Sequence, residues 1–208
     1  MTAISASRLR LAHAAAGTGP LTFVHNKGVP VVLEFGESVD LTVSGGMFYV
    51  DVQGVPPEQS WFDFPLTFEA RGRDGDDLSV YVAGGVCCGA NPQTMAGLVS
   101  VWDAHPEVSQ DSVRVRLIQG WNSAPVVYVL PGGAPAVGLP TLCYFDPSDH
   151  WGYSMRPVGA LDFVLAGKAG ASSGSVRIPV TVEGGGSSTY VITQQRGQPP
   201  SIVAFPDP

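Results

Sequence analysis

The chain repeats itself, and that repetition limits its fold more than any other feature. "RLRLAH" (8–13) recurs as "RVRLIQ" (114–119), and "PLTFVHNKGVPV" (20–31) recurs as "PVVYVLPGGAPA" (125–136). Farther on, "VSGGMFYVDVQG" (43–54) answers "RPVGALDFVLAG" (156–167), "FPLTFEA" answers "IPVTVEG", and "LVSVWD" (98–103) answers "SIVAFPD" at the C-terminus. Five matches in one order point to a duplicated unit. The expected division is a first unit over 1–107 and a second over 108–208.

Within the matches apolar residues alternate: Leu9 with Leu11, Leu41 with Val43, Phe48 with Val50 and Val52, and Leu78 with Val80 and Val82. A period of two means strands with one buried face, so Leu9 and Leu11 are expected to face a core and Arg8 and Arg10 to face outward. Turn signals fall between the strands: Asn26-Lys27-Gly28, Ser44-Gly45-Gly46, Asp74-Gly75-Asp76, Gly132-Gly133 and Gly184-Gly185-Gly186. The 26 Gly and 18 Pro, with only 14% charged residues, suit many short strands joined by tight turns. About seven strands per unit at this spacing predict an all-β chain of two tandem immunoglobulin-like antiparallel β-sandwich domains.

Pro65 and Pro179 occupy matching places inside otherwise convincing strands. A missing N–H breaks a ladder unless that side has no neighbour, so both prolines are expected on edge strands or bulges, where they also discourage edge-to-edge association. The linker "DAHPEVSQDS" (103–112) is short and polar, which predicts closely held units.

A net charge of −7 argues against nucleic acid, since phosphate binding needs clustered Lys and Arg. Residues 1–110 carry five Lys/Arg against twelve Asp/Glu, whereas 111–208 carry six of each, so the acidity belongs to the first unit. No run of about 18 apolar residues predicts a membrane span, and "MTAISASRLRL" lacks the apolar segment of a secretory signal. That leaves either a cytosolic protein or one whose signal lies outside this sequence; with a repeat unit beginning by Arg8, the expectation is the second, a mature extracytoplasmic protein, secreted or on the cell surface.

"RLRLAHAAAGTGPLTFVHNKGVP", then "FG" at 35–36, then "GGMFYVDVQG", resembles the opening half of the domain of unknown function 4397 family. That family's pattern is an R-x-R-x-x-H-A start, an aromatic-Val-x-x-G-x-P strand and hairpin, an F-G step and a G-x-Y-x-V strand. The second copy departs from it, with Gln119 in place of His13 and a longer "TLCYFDPSDHWGY" segment. The resemblance implies a secreted or surface-anchored bacterial protein of tandem immunoglobulin-like sandwiches, and it brings no catalytic residues.

A feature that the fold alone requires should tend to appear in both copies. His13 has the polar counterpart Gln119, which favours a structural role, its side chain satisfying a neighbouring loop. The acidic turn "RGRDGDD" (71–77) offers carboxylates to a hard cation, yet the matching "EGGGSST" has no such cluster and no complete calcium loop follows, so a solvated turn is expected. Cys87, Cys88 and Cys143 do not form the spaced pairs of a zinc site. A bridge from Cys143 to Cys87 or Cys88 would join the units and leave one thiol, at a gain of about 4 kcal/mol in the chain-entropy model. A vicinal Cys87–Cys88 ring and free thiols are the alternatives.

The insertion at 143–153 gathers Tyr144, Phe145, His150, Trp151 and Tyr153 with Asp146 and Asp149, and Trp121 lies in an earlier loop of the same unit. Aromatic rings beside carboxylates on a loop suit a sugar or a protein partner. The favoured expectation is that the same rings cover the end of the sandwich or pack against the first unit. Asp146, Asp149 and His150 lack the fourth donor expected of a metal centre, and no cofactor is expected. With no G-x-S-x-G, H-E-x-x-H or P-loop motif, no enzyme is expected. The leading expectation is a non-catalytic structural, adhesion or interaction module with a protein partner or self-association. A carbohydrate- or small-ligand-binding module using loop 143–153 is the alternative.

Overall fold

The computed structural model describes residues 6–44, 46–56, 66–72, 77–85, 96–103, 107–119, 126–131, 153–166, 176–193 and 198–207. Every regular element among them is a strand. No described helix is long and apolar enough to cross a membrane. The chain forms two compact units, Met1–His105 with Thr193–Pro199, and Pro106–Ile192 with Pro200–Pro208.

In the first unit β1 (Ala6–Ala16), β4 (Ser38–Ser44), β7 (Asp77–Gly85) and β8 (Gly97–Asp103) form one sheet in the order β4-β1-β7-β8. A second sheet, in the order β3-β2-β5-β6, holds β2 (Leu21–His25), β3 (Val31–Leu33), β5 (Gly46–Gln53) and β6 (Leu66–Gly72). The alternating apolar positions explain why both sheets form. Leu9, Leu11, Val43, Leu78, Val80 and Val82 of the first sheet make one buried cluster with Leu21, Phe23, Leu33, Val50 and Val52 of the second. Each such side chain withdrawn from water is worth about 1.5–3 kcal/mol, and only two facing sheets can bury all of them at once. The arrangement is that of a β-sandwich.

β1 is antiparallel to β4 and parallel to β7, so Leu9 stands between Leu41 and Leu78. A parallel neighbour requires a long return path, and strands β2 to β6 supply it.

The second unit has β9 (Ser112–Gln119), β10 (Val126–Pro131), β11 (Tyr153–Pro157), β12 (Gly159–Ala166), β13 (Val176–Val182), β14 (Ser187–Thr193) and β15 (Ser201–Asp207). Its sheets run β11-β9-β14-β15 and β10-β12-β13. The strand carrying "RVRLIQ" is again the one with a parallel partner, Arg116 standing opposite Thr189. Val113, Val115, Leu117, Tyr190 and Ile192 share a core with Leu161, Phe163 and Val182, and the Phe163 and Tyr190 rings lie 5.1 Å apart.

Pro179 lies on β13, an edge of its sheet among the described residues, opposite Asp162. There an N–H on the free side has no strand to serve, so proline is tolerated. Pro65 lies just outside the described residues, before β6, which is likewise an edge strand among them.

Candidate functional site

The R-x-R positions correct a sequence expectation. Arg8 and Arg10 do point away from the hydrophobic cluster, but Arg10 is only 4% exposed and Arg116, its counterpart in the repeat, is fully buried. Both faces of β1 and β7 are covered, because Ala12, Ala14, Ser79 and Tyr81 on the outward side are buried as well. Buried guanidinium groups need partners, and these have them. The Nε and Nη2 of Arg10 donate to the two carboxylate oxygens of Asp40, its cross-strand neighbour, at 2.9 and 3.2 Å. That fork holds the Asp40 carboxyl below the usual carboxylate range. Arg8 Nη2 donates to Asp103 Oδ2 at 2.7 Å, and the Ser79 hydroxyl donates to the same oxygen at 2.7 Å. In the second unit Arg116 Nε donates to Thr189 Oγ1 at 2.9 Å, with Asp207 at 3.8 Å. An arginine, a hydroxyl and an aspartate thus recur on matched strands, which marks the cluster as part of the architecture.

Asp77 was read as part of a solvated acidic turn. Its carboxylate instead accepts the Arg8 backbone N–H at 2.8 Å and pairs with Arg8 Nε at 3.5 Å. Residues 73–76 of that turn lie outside the described residues.

His13 is fully buried. Its Nε2 lies 2.8 Å from the Gly19 carbonyl, which can only accept, while the Ala15 N–H donates to Nδ1 at 3.2 Å. These partners define a neutral ring with its proton on Nε2. Burial lowers its pKa, against the pull of the Gly19 carbonyl and the carboxylates of Glu34 and Glu37. The F-G step completes the setting: Phe35 meets the ring edge-on at 5.9 Å, and Gly36 N–H donates to the His13 carbonyl at 2.8 Å. Gly36 adopts φ +89, a left-handed conformation in which a side chain is strained. The residues that carried the family resemblance are therefore bound to one another.

An open cleft lies at the turn between β2 and β3. Asn26 and Lys27 have φ +48 and +58, and Gly28 N–H closes the turn on the His25 carbonyl at 2.7 Å. Two successive positive φ values define the primed hairpin turn that matches strand twist. Asn26 then extends the ladder past the end of β2. Its N–H donates to the Tyr49 carbonyl at 2.9 Å, and its Oδ1 accepts the Tyr49 N–H at 2.7 Å. On β5 the core takes Val50 and Val52, which leaves Tyr49 and Asp51 on the opposite face. Asn26, Lys27, Tyr49 and Asp51 line a cleft of about 470 Å³. Thr67 Oγ1 donates to Asp51 Oδ1 at 2.9 Å, and Glu69 stands opposite Tyr49. The sequence marked Asn26-Lys27-Gly28 as a turn but did not single out Tyr49 or Asp51. The alternation in "FYVDV" places both on the outward face, and that was the available signal.

After this turn the chain exposes three large apolar side chains, Val29 at 86%, Val32 at 59% and Phe35 at 44%. β3, which holds Val32, is an edge strand among the described residues.

Of the predicted site residues, Tyr153 begins β11, opposite Arg116. Trp121, Tyr144, Phe145, Asp146, Asp149, His150 and Trp151 lie outside the described residues, as do Cys87, Cys88 and Cys143. Among the described residues no three His, Cys, Asp or Glu side chains are grouped to hold a metal ion.

Comparison with protein-family models and with curated proteins gives no match. Among solved structures, the chain is similar to the Bacillus anthracis TIE protein at TM-score 0.25 and 10% identity, over 92% of this chain and 33% of that one. It is also similar to a candidate cell adhesion protein from Bacteroides eggerthii at TM-score 0.28 and 10% identity, over 97% of this chain and 95% of that one. The chain thus spans about a third of the TIE protein's length. Likeness of this degree carries no argument about fold or function.

Proposed function

We propose that the chain is a non-catalytic, extracytoplasmic interaction module of the bacterial surface, built of two tandem immunoglobulin-like sandwiches, with a protein partner or a second copy as its target. The observation that carries this reading is the exposure of Val29, Val32 and Phe35, three large apolar side chains within seven residues on and around β3, an edge strand among the described residues. Soluble chains usually protect such an edge with charge, and one left apolar is suited to pairing with another strand.

The fate of the reactive groups supports the absence of catalysis. His13 is neutral, buried and hydrogen-bonded through both ring nitrogens, while Arg8 pairs with Asp103 and Arg10 with Asp40 within a sheet. The recurrence of strand order and of the R-x-R register supports the tandem reading, and the resemblance of the first unit to the domain of unknown function 4397 family agrees with it.

Sedimentation of the purified chain across a concentration series, with cross-linking to a surface extract as a second arm, tests the reading. Self-association or a specific cross-linked partner is expected, together with no turnover in a broad hydrolase screen. A chain that stays monomeric and captures nothing contradicts it.

A further inference from the structure

We infer that the cleft formed by Asn26, Lys27, Tyr49 and Asp51 is a binding site for a neutral, hydroxyl-rich ring, a single saccharide unit of a glycan. This goes beyond the interaction-module reading by giving a separate exposed feature of the first unit a ligand class of its own.

The volume of about 470 Å³ falls within the range of small-ligand sites. Among the described residues that line the cleft, Asn26 and Asp51 are held in place before any ligand arrives. The Asn26 carboxamide oxygen is occupied by the Tyr49 N–H, which fixes the amide and leaves its NH2 as a donor. The Thr67 hydroxyl holds one oxygen of Asp51, which leaves the other as an acceptor. A sugar hydroxyl both donates and accepts, so a carboxylate beside an amide NH2 and the Lys27 ammonium can engage it in both senses. Tyr49, 41% exposed, offers an aromatic surface to the C–H face of a ring.

The charges narrow the ligand further. Asp51 in the cleft and Glu69 opposite Tyr49 repel a phosphate or sulfate. Among the described residues a bare cation meets one lining carboxylate with the Lys27 ammonium against it. A neutral polyol meets neither obstacle, and polar groups fixed in advance reduce the entropy lost on binding.

The test is a ¹⁵N-resolved NMR titration of the full chain with the methyl glycosides of glucose, galactose, mannose and N-acetylglucosamine at millimolar concentrations. Saturable shifts of the Asn26, Lys27, Tyr49 and Asp51 amides are expected for at least one sugar. Tyr49→Ala and Asp51→Asn should each weaken binding about tenfold with the rest of the spectrum intact, while Tyr49→Phe retains it. No saturable shift with any sugar overturns the inference. So do shifts confined to residues 120–125 and 132–152, or a Tyr49→Ala variant that binds as well as the parent. Val32→Lys, run alongside, leaves the cleft untouched and alters only protein association, so failure of the saccharide site is distinguishable from failure of the interaction-module reading.

Discussion

Arg8 and Asp103, at the two ends of the first unit's chain path, meet at 2.7 Å through Nη2 and Oδ2, with the Asp103 side chain fully withdrawn from solvent. A buried ion pair adds little net stability, but removing one partner strands the other charge. Arg8→Ala is therefore expected to destabilise the first unit by about 3–5 kcal/mol. The double variant Arg8→Met with Asp103→Leu should recover most of that loss. Urea denaturation of the three proteins checks both statements, and a single variant costing under about 1 kcal/mol, the worth of an exposed pair, contradicts the assignment.

His13 gives the first unit an acid dependence. Its pKa is lowered in the folded chain from the ordinary 6.5, so the unfolded chain binds more protons as pH falls below that value. The contribution of neutral His13 is fully present above about pH 6.5 and declines as pH falls toward the folded-state pKa. His25, also lowered by burial, acts in the same direction. Asp40 adds a separate loss below its ordinary 3.8, where its fork to Arg10 is protonated away. Thermal midpoints from pH 7.5 to 4.5 should fall in the parent and fall less in His13→Gln. Parallel curves for the two proteins contradict the assignment.

Gly184 accounts for part of the second unit's packing. A Cβ there would run into the carbonyl oxygen of Gln110, which is backbone and cannot turn aside. Gly184→Ala is expected to cost about 1–3 kcal/mol through overpacking. Gly186→Ala, with open space around its Cβ position, serves as the control and should cost less. Equal midpoints for the two variants in guanidinium would count against this packing.

Pro179 guards an edge. Pro179→Val restores an N–H to β13 at an exposed position, so the folded stability should change by less than about 0.5 kcal/mol while association at high concentration rises. Light scattering against concentration checks it, and unchanged scattering removes the protective role.

Much of the fold was legible because alternation is a local signal. Leu9 and Leu11, Val50 and Val52, and Leu78, Val80 and Val82 all reach the core that their spacing assigns. The burial of Arg10 and Arg116 was not legible, since alternation tells two faces apart but does not say that the second meets water. Ala12 and Ala14 after "RLRL" were the hint, small residues on outward positions where a solvated strand would carry larger polar ones. The cleft was half legible. Asn26-Lys27-Gly28 reads as a turn, but its meeting with Tyr49 depends on the pairing of β2 with β5, a register set by strands far apart in sequence. The aromatic loop at 143–153 and the cysteines, where the sequence placed most of its functional weight, fall outside the described residues apart from Tyr153.

The central claim is that the exposed apolar side chains on and around β3, Val29, Val32 and Phe35, mediate association. Sedimentation velocity of the parent and of Val32→Lys, over the same concentration range and with equal folded stability verified by thermal melts, tests it most directly. The account predicts concentration-dependent association, or binding of the cross-linked surface partner, in the parent and its loss in Val32→Lys. A parent and variant that sediment alike and bind alike would contradict it.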